Sequence, residues 1–234
     1  MRCMATAGEA LRRDNVAAYN CAAVKANYIH CFDETLYILM CGTGVGFSCE
    51  RQFICELPTI NVSFQNTDLF FAVEDSKEGW ALAFRHLIEN LYAGNISKFD
   101  YTKIRPAGAR LKTFGGRASG PQPLVNLFDF TVDLFKSAAG RKLNSIEVHD
   151  LFCKIADIVV VGGVRRSALI SLSNLSDKRM AEAKIGDWRR YNLQRELANN
   201  AAAYTEKPDS GKFMEEWLSL YKSKSGERGI FNRE

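Results

Sequence analysis

With 234 residues, 47% of them hydrophobic and 25% charged, the chain has the composition of a soluble globular protein of one large or two small domains, long enough to bury a sizeable core. No apolar run approaches the ~18 residues of a membrane helix, and "MRCMATAGEALRRDN" carries no apolar stretch with a cleavage site, so the expected address is cytoplasmic with no membrane partner. A net charge of +4 is too mild for a nucleic-acid binder, and seven cysteines without a C-x-x-C pair or a Cys/His cluster argue against a metal site and against a secreted disulfide framework.

In chain order, "NVAAYNCAAV" reads as a short strand with small residues around Cys21. "CFDETLYILMCG" has helical character and ends at Gly42, and "GTGVGFS" then reads as a glycine-rich turn. A dinucleotide fingerprint needs strand, turn, then helix with G-x-G-x-x-G; here a helix enters the turn and the spacing is G-x-G-x-G, which disfavours a Rossmann site. The clearest helix is "DSKEGWALAFRHLIENLYAGN". Its Trp80, Phe84, Leu87, Ile88 and Leu91 form one apolar stripe, with Asp75 or Ser76 as cap and Gly94-Asn95 as closure.

"KFDYTKIRP" is predicted as a strand ending before Pro106. From Tyr101 to Phe128 there is no acidic residue, while Lys103, Arg105, Arg110, Lys112 and Arg117 are basic around "FGGRASGP". Such a loop suits a phosphorylated small molecule better than a duplex. A second helix, "PLVNLFDFTVDLFKSAAG", stops at Gly140. A third, "NSIEVHDLFCKIADI", has Asn144 as cap and Glu147 at the capping-box position. His149 on it has no second ligand and is expected at the surface or boundary. The last helix, "DSGKFMEEWLSLYKSKSGERG", starts near Ser210 and is expected to turn Phe213, Trp217, Leu220 and Tyr221 inward. Alternating helices and short strands argue for an α/β class.

"VVVGGVRRSAL" drops from a β-branched run into two glycines, paired arginines and a serine. Consecutive glycines offer a nest of backbone donors, and arginine adds bidentate charge-assisted bonds, so the stretch fits a phosphate cradle or a loop that changes shape. It lacks P-loop spacing. The residues alone leave a redox enzyme, a nucleotide-binding regulatory module and a phosphotransferase open.

Four segments in order, "RDNVAAYNCAAV", "LYILMCGTGVGFSCERQ", "KIRPAGARLKTFGGRASGPQPL" and "DIVVVGGVRRSALISLS", resemble motifs of the adenosylcobalamin-dependent (class II) ribonucleotide reductases, closest to the ribonucleoside-triphosphate reductases. The resemblance covers essentially the whole chain. It implies part of a ten-stranded α/β barrel, with residues 1–234 as a single partial catalytic domain. It further implies a thiyl radical raised through adenosylcobalamin, a pair of reducing cysteines, a ribonucleoside triphosphate substrate, a deoxynucleotide effector and thioredoxin or a similar dithiol as reductant.

By this resemblance Cys21 is the first cysteine of the reducing pair, Gly44 turns its backbone to the substrate, and Asn20 lies beside the phosphates. Gly162, Gly163, Val164, Arg165, Arg166 and Ser167 match the loop that links the allosteric specificity site to the active site. Such a loop needs glycines to change conformation and polar side chains to report the bound base. "GGVR" and a strand cysteine also occur in the iron-dependent reductases; the longer forms here look more like the cobalamin group. The asparagine-proline-cysteine motif of the family does not occur, so the partner of Cys21, the radical cysteine, the catalytic glutamate and most of the cobalamin site are expected beyond Glu234. The chain is therefore expected to be a fragment, inactive by itself. A nucleotide-binding module without catalysis and a reductase of diphosphates are the alternatives.

Overall fold

The structure, a computed structural model, describes residues 7–110, 117–159 and 168–233. Its strands are β1 (Cys21–Lys25), β2 (Gly44–Ser48), β3 (Gln65–Ala72), β4 (Asn95–Asp100), β5 (Leu169–Asn174), β6 (Ala198–Tyr204) and β7 (Gly229–Asn232). They form a five-stranded sheet in the order β1-β2-β5-β6-β7 and a two-stranded sheet β3-β4, with every ladder parallel. Parallel neighbours need long crossovers, and helices supply them.

The helices are α1 (Glu9–Arg13), α2 (Cys31–Met40), α3 (Arg51–Ile54), α4 (Lys77–Tyr92), α5 (Gln122–Ser137), α6 (Ser145–Asp157), α7 (Lys178–Ala181), α8 (Trp188–Tyr191) and α9 (Ser210–Ser223). Thus α2 joins β1 to β2, α4 joins β3 to β4, and α9 joins β6 to β7. This is the expected α/β class, with parallel sheets.

The amphipathic reading of the helices holds. Trp80, Phe84, Leu87, Ile88 and Leu91 of α4 are all buried, and Ser76 caps the helix by accepting from the Gly79 N–H. Asn144 and Glu147 form the expected capping box on α6. Helix α2 ends as Gly42 adopts a φ of 83°, a conformation that costs a side-chain-bearing residue energy. These helices share one apolar core running from Val24 and Phe47 through Phe84, Leu124 and Phe152 to Ala198.

Several local expectations change. "GTGVGFS" is not a turn: Gly44 to Ser48 is an interior strand, and the chain turns before it, at Cys41 and Gly42. Val45 and Phe47 alternate with glycines there, so half-burial against the helices, rather than glycine's flexibility, decides the conformation. The first strand begins only at Cys21, after a 3₁₀ turn over Asn15–Ala18. The strand expected over "KFDYTKIRP" lies earlier, at Asn95–Asp100, because its partner β3 pairs there. Helix α9 exposes Phe213, Trp217 and Tyr221, with Trp217 stacked on Tyr221, instead of turning them inward; no residue of α9 is buried.

His149 is fully buried rather than at a boundary. Its Nε2 lies 2.9 Å from Asn200 Oδ1, which also accepts from Ser171 Oγ at 2.8 Å, and its Nδ1 lies 3.3 Å from Asp150. Asp150 in turn accepts two 2.6 Å bonds from Arg195. Helix α6 is thereby tied to β5 and β6 by polar groups that could not be left unpaired there.

Candidate functional site at the amino ends of the parallel strands

In-register parallel neighbours point their side chains to the same face. On one face of the five-stranded sheet Val24, Val45, Phe47, Leu169, Ser171, Ser173, Ala198, Asn200 and Ala202 are buried under the helices. Toward the amino ends of the strands the other face carries Cys21 and Ala23 of β1, Gly44 and Gly46 of β2, Ile170 of β5 and Asn199 of β6, all exposed or half-buried, whereas Ser48, Ala201 and Ala203 further along it are buried. Small residues dominate it, so a ligand can lie close to the backbone.

Cys21 is exposed at the start of β1, directly opposite Gly44. The Gly44 N–H donates to the Asn20 carbonyl at 2.9 Å, and the Val45 N–H donates to the Ala168 carbonyl at 2.9 Å. A Cβ placed on Gly44 would meet the Ala168 carbonyl at 3.4 Å and the Ala168 Cβ at 3.5 Å. Asn20, Cys21 and Gly44, picked out from separate motifs, are therefore neighbours at one edge of the sheet. Gly162, Gly163, Val164, Arg165, Arg166 and Ser167 lie outside the described residues, but Ala168, which follows them, sits against Gly44.

The other described cysteines divide cleanly. Cys31, Cys41, Cys49 and Cys153 are buried and Cys55 is exposed. Burial pushes the Cys49 thiol far above its usual range, and it raises Cys41 to about 11 despite opposing contacts from Lys77. These thiols suit packing, whereas Cys21 has the access that thiol exchange needs.

The basic loop is less free than its composition suggests. Lys103 pairs with Glu74, and Arg105 lies 2.6 Å from Asp75, so two of its cations are engaged just before α4. Arg117 donates to the Gly108 carbonyl at 3.0 Å, and residues 111–116, with Lys112, lie outside the described residues.

Sequence reasoning missed the residues that hold the start of β1. Thr43 is fully buried, with its hydroxyl 3.0 Å from the Val16 carbonyl and 2.8 Å from that of Tyr19. Asp14 accepts from the Val16 N–H at 2.9 Å and the Tyr37 hydroxyl at 2.5 Å, and it pairs with Lys77. Burial alone would raise the Asp14 pKa, but the Lys77, Tyr37, Val16 and Cys41 contacts hold it well below the carboxylate range. No sequence motif marks these residues, because the partners come from three separate elements.

None of the chain's three histidines faces the open side of the sheet: His30 lies near Asp33, His86 stacks on Phe71, and His149 is buried behind the sheet. A polar hollow of about 670 Å³, lined by Tyr204, Lys207, Lys212 and Arg228 among others, lies at the carboxyl ends of β5 and β6, away from Cys21. No helix among the described residues is long and apolar enough to cross a membrane.

Residues 58–134, which hold β3, α4, β4 and most of α5, match the family model for the insertion domain of B12-dependent ribonucleotide reductase. The chain is 30% identical over 250 residues to the adenosylcobalamin-dependent ribonucleoside-triphosphate reductase of Lacticaseibacillus paracasei, covering 91% of this chain and 32% of that protein. It is 29% identical to the enzyme of the same name from Lactobacillus leichmannii, covering 90% and 32%, and 26% identical to that of Euglena gracilis, covering 85% and 27%. The chain thus spans about a third of the length of the curated relatives it matches. A crystal structure of a B-12 dependent (class II) ribonucleotide reductase superposes with a TM-score of 0.75 at 22% identity, over 85% of this chain and 35% of that one. Likeness along nine-tenths of its sequence, an insertion-domain match and a shared fold agree: over about a third of their length, the chain is similar to the adenosylcobalamin-dependent (class II) ribonucleotide reductases.

Proposed function

We propose that the chain supplies one wall of the catalytic barrel of an adenosylcobalamin-dependent ribonucleoside-triphosphate reductase, with Cys21 as the first member of the reducing cysteine pair. The observation that carries this reading is the exposed thiol of Cys21 opposite Gly44, on a sheet face built of small residues. The absence of a side chain at Gly44 leaves room for a ribose over the thiol. Cys21 and a partner cysteine together provide two electrons and two protons. The substrate's 2′ C–O bond breaks, a C–H bond forms, water leaves, and the two thiols become a disulfide that a thioredoxin-type dithiol reduces.

The described residues around Cys21 do not fit a corrin ring. They offer an open sheet face without histidine. Adenosylcobalamin belongs, in this proposal, to parts of the whole protein that this chain does not contribute. The contact of Ala168 with Gly44 supports the reading of Gly162 to Ser167 as the specificity loop, because the strand that leaves the loop begins beside the proposed substrate. A deoxynucleotide effector acting through Arg165 and Arg166 would bias that contact. Residues 1–234 work as one partial barrel domain in this proposal, a view supported by the single core that joins the insertion segment to the five-stranded sheet.

The test is turnover by the whole reductase that contains this chain, assayed with ribonucleoside triphosphates and adenosylcobalamin. Cys21→Ser is expected to abolish multiple turnover with a thioredoxin-type reductant. Full turnover by the variant would sink the assignment.

A further inference from the structure

β1 is an edge strand among the described residues, with β2 as its neighbour, yet it carries the one thiol to which the proposed chemistry assigns a fixed place. Edge strands fray unless something holds them. Here the ties converge on the residues just before Cys21. The Asn20 carbonyl is held by the Gly44 N–H, and the Val16 and Tyr19 carbonyls share the Thr43 hydroxyl, which donates its one hydrogen to either. The 3₁₀ turn between them is capped by Asp14 through the Val16 N–H.

Asp14 is itself anchored from outside the strand. Its Oδ2 accepts from the Tyr37 hydroxyl at 2.5 Å and the Cys41 thiol at 3.2 Å, both on or next to α2, and from the Lys77 ammonium at the start of α4. Lys77 also approaches Cys41 Sγ at 3.0 Å and lies 4.7 Å from the centre of the Tyr37 ring. Lys77 belongs to the stretch that matches the insertion domain. An insertion-domain residue therefore reaches, through one carboxylate, the turn that launches the Cys21 strand.

We propose that Lys77, Asp14 and Thr43 are positioning residues that form a brace holding Cys21 opposite Gly44, with the insertion domain as the anchor. The bearing of this brace on reduction rests on the reading of Cys21 as a reducing thiol. The brace itself does not depend on that chemistry, so it is tested by a measurement that never uses turnover.

The experiment is amide hydrogen exchange, read by mass spectrometry, on the full 234-residue chain. Thr43→Val keeps the side chain's shape and removes the hydroxyl. It is expected to speed exchange about tenfold in peptides covering Cys21–Lys25 and Gly44, as the loss of local hydrogen bonds would, and to leave α5 at the wild-type rate. Thr43→Ser, which keeps the hydroxyl, is expected to restore protection. Should Thr43→Val prevent folding, Lys77→Gln reports on the same device from its far end, with faster exchange expected in the same peptides. Unchanged exchange at Cys21–Lys25 in both variants would overturn the brace, as would equal exchange in Thr43→Ser and Thr43→Val. Failure of Cys21→Ser to stop turnover, with exchange as expected, would remove the thiol's role and leave the brace standing.

Discussion

At the scale of single residues, access separates the thiols. Cys21 and Cys55 are exposed, while Cys31, Cys49 and Cys153 lie in the core. Under native conditions an uncharged alkylating agent is expected to modify Cys21 and Cys55, and the core thiols only after unfolding; peptide mapping checks this. Gly44→Ala is expected to fold, because its new methyl meets Ala168 at ordinary contact distance. That methyl projects onto the open face beside Cys21, so alkylation of Cys21 should slow severalfold. An unchanged rate would mean that Gly44 does not border the thiol.

His149 makes a second prediction at this scale. Burial opposes its positive charge, but the neighbouring Cys153 and Asp150 outweigh burial and raise its pKa from 6.5 to about 10. A group whose pKa rises on folding contributes stability that is complete below its unfolded pKa and is lost as pH climbs through the folded value. Urea unfolding between pH 6 and 10 should therefore show wild-type stability declining towards that of His149→Gln as pH rises. A gap that stays constant over this range would contradict a charged His149.

At the scale of elements, the apolar stripes of α4 and α9 look alike in sequence but behave differently. Trp80 of α4 is 8% exposed, whereas Trp217 of α9 is 46% exposed. Trp80→Ala should cost about 3–5 kcal/mol, as large core truncations do, and Trp217→Ala less than about 1 kcal/mol, the usual scale for surface changes. Equal costs measured by denaturant unfolding would mean that α9 packs as its periodicity suggests. Spacing of apolar residues reports which side of a helix is apolar; it does not report whether anything covers that side.

At the scale of the molecule, Glu50, just after β2, is 1% exposed and accepts from Arg233, just after β7, at 2.5 and 3.2 Å. β5 and β6 lie between those strands in the sheet. A side chain can bridge strands so far apart only if the sheet curls, so this pair forms a chord across its carboxyl end. Ser48 also donates to Glu50 at 2.6 Å. Removing the cation leaves a buried carboxylate short of a partner, and Arg233→Ala should cost about 3 kcal/mol on the scale of broken buried pairs. A loss near zero in urea unfolding would show that the chord does not hold the curvature.

Local order was written in the sequence. The stripe of Trp80, Phe84, Leu87, Ile88 and Leu91, the Asn144–Glu147 box and the stop at Gly42 depend on residues within a few positions of one another, so a linear reading finds them. The motifs around Cys21, Gly44 and Gly162 pointed to the family for the same reason. What the sequence left open depends on partners far along the chain. The β5 and β6 segments are rich in serine, alanine and asparagine and are strands because their neighbours bury one face. His149 is buried because Asn200, 51 residues away, accepts its hydrogen bond. The sequence by itself determined the long amphipathic helices, and it singled out Cys21 within a motif that resembles the family's. Only the tertiary structure decided that Cys21 is exposed opposite a glycine, and that Asp14, Thr43 and Lys77 meet beside the turn before it, because contacts between distant segments exist only once the strands have paired.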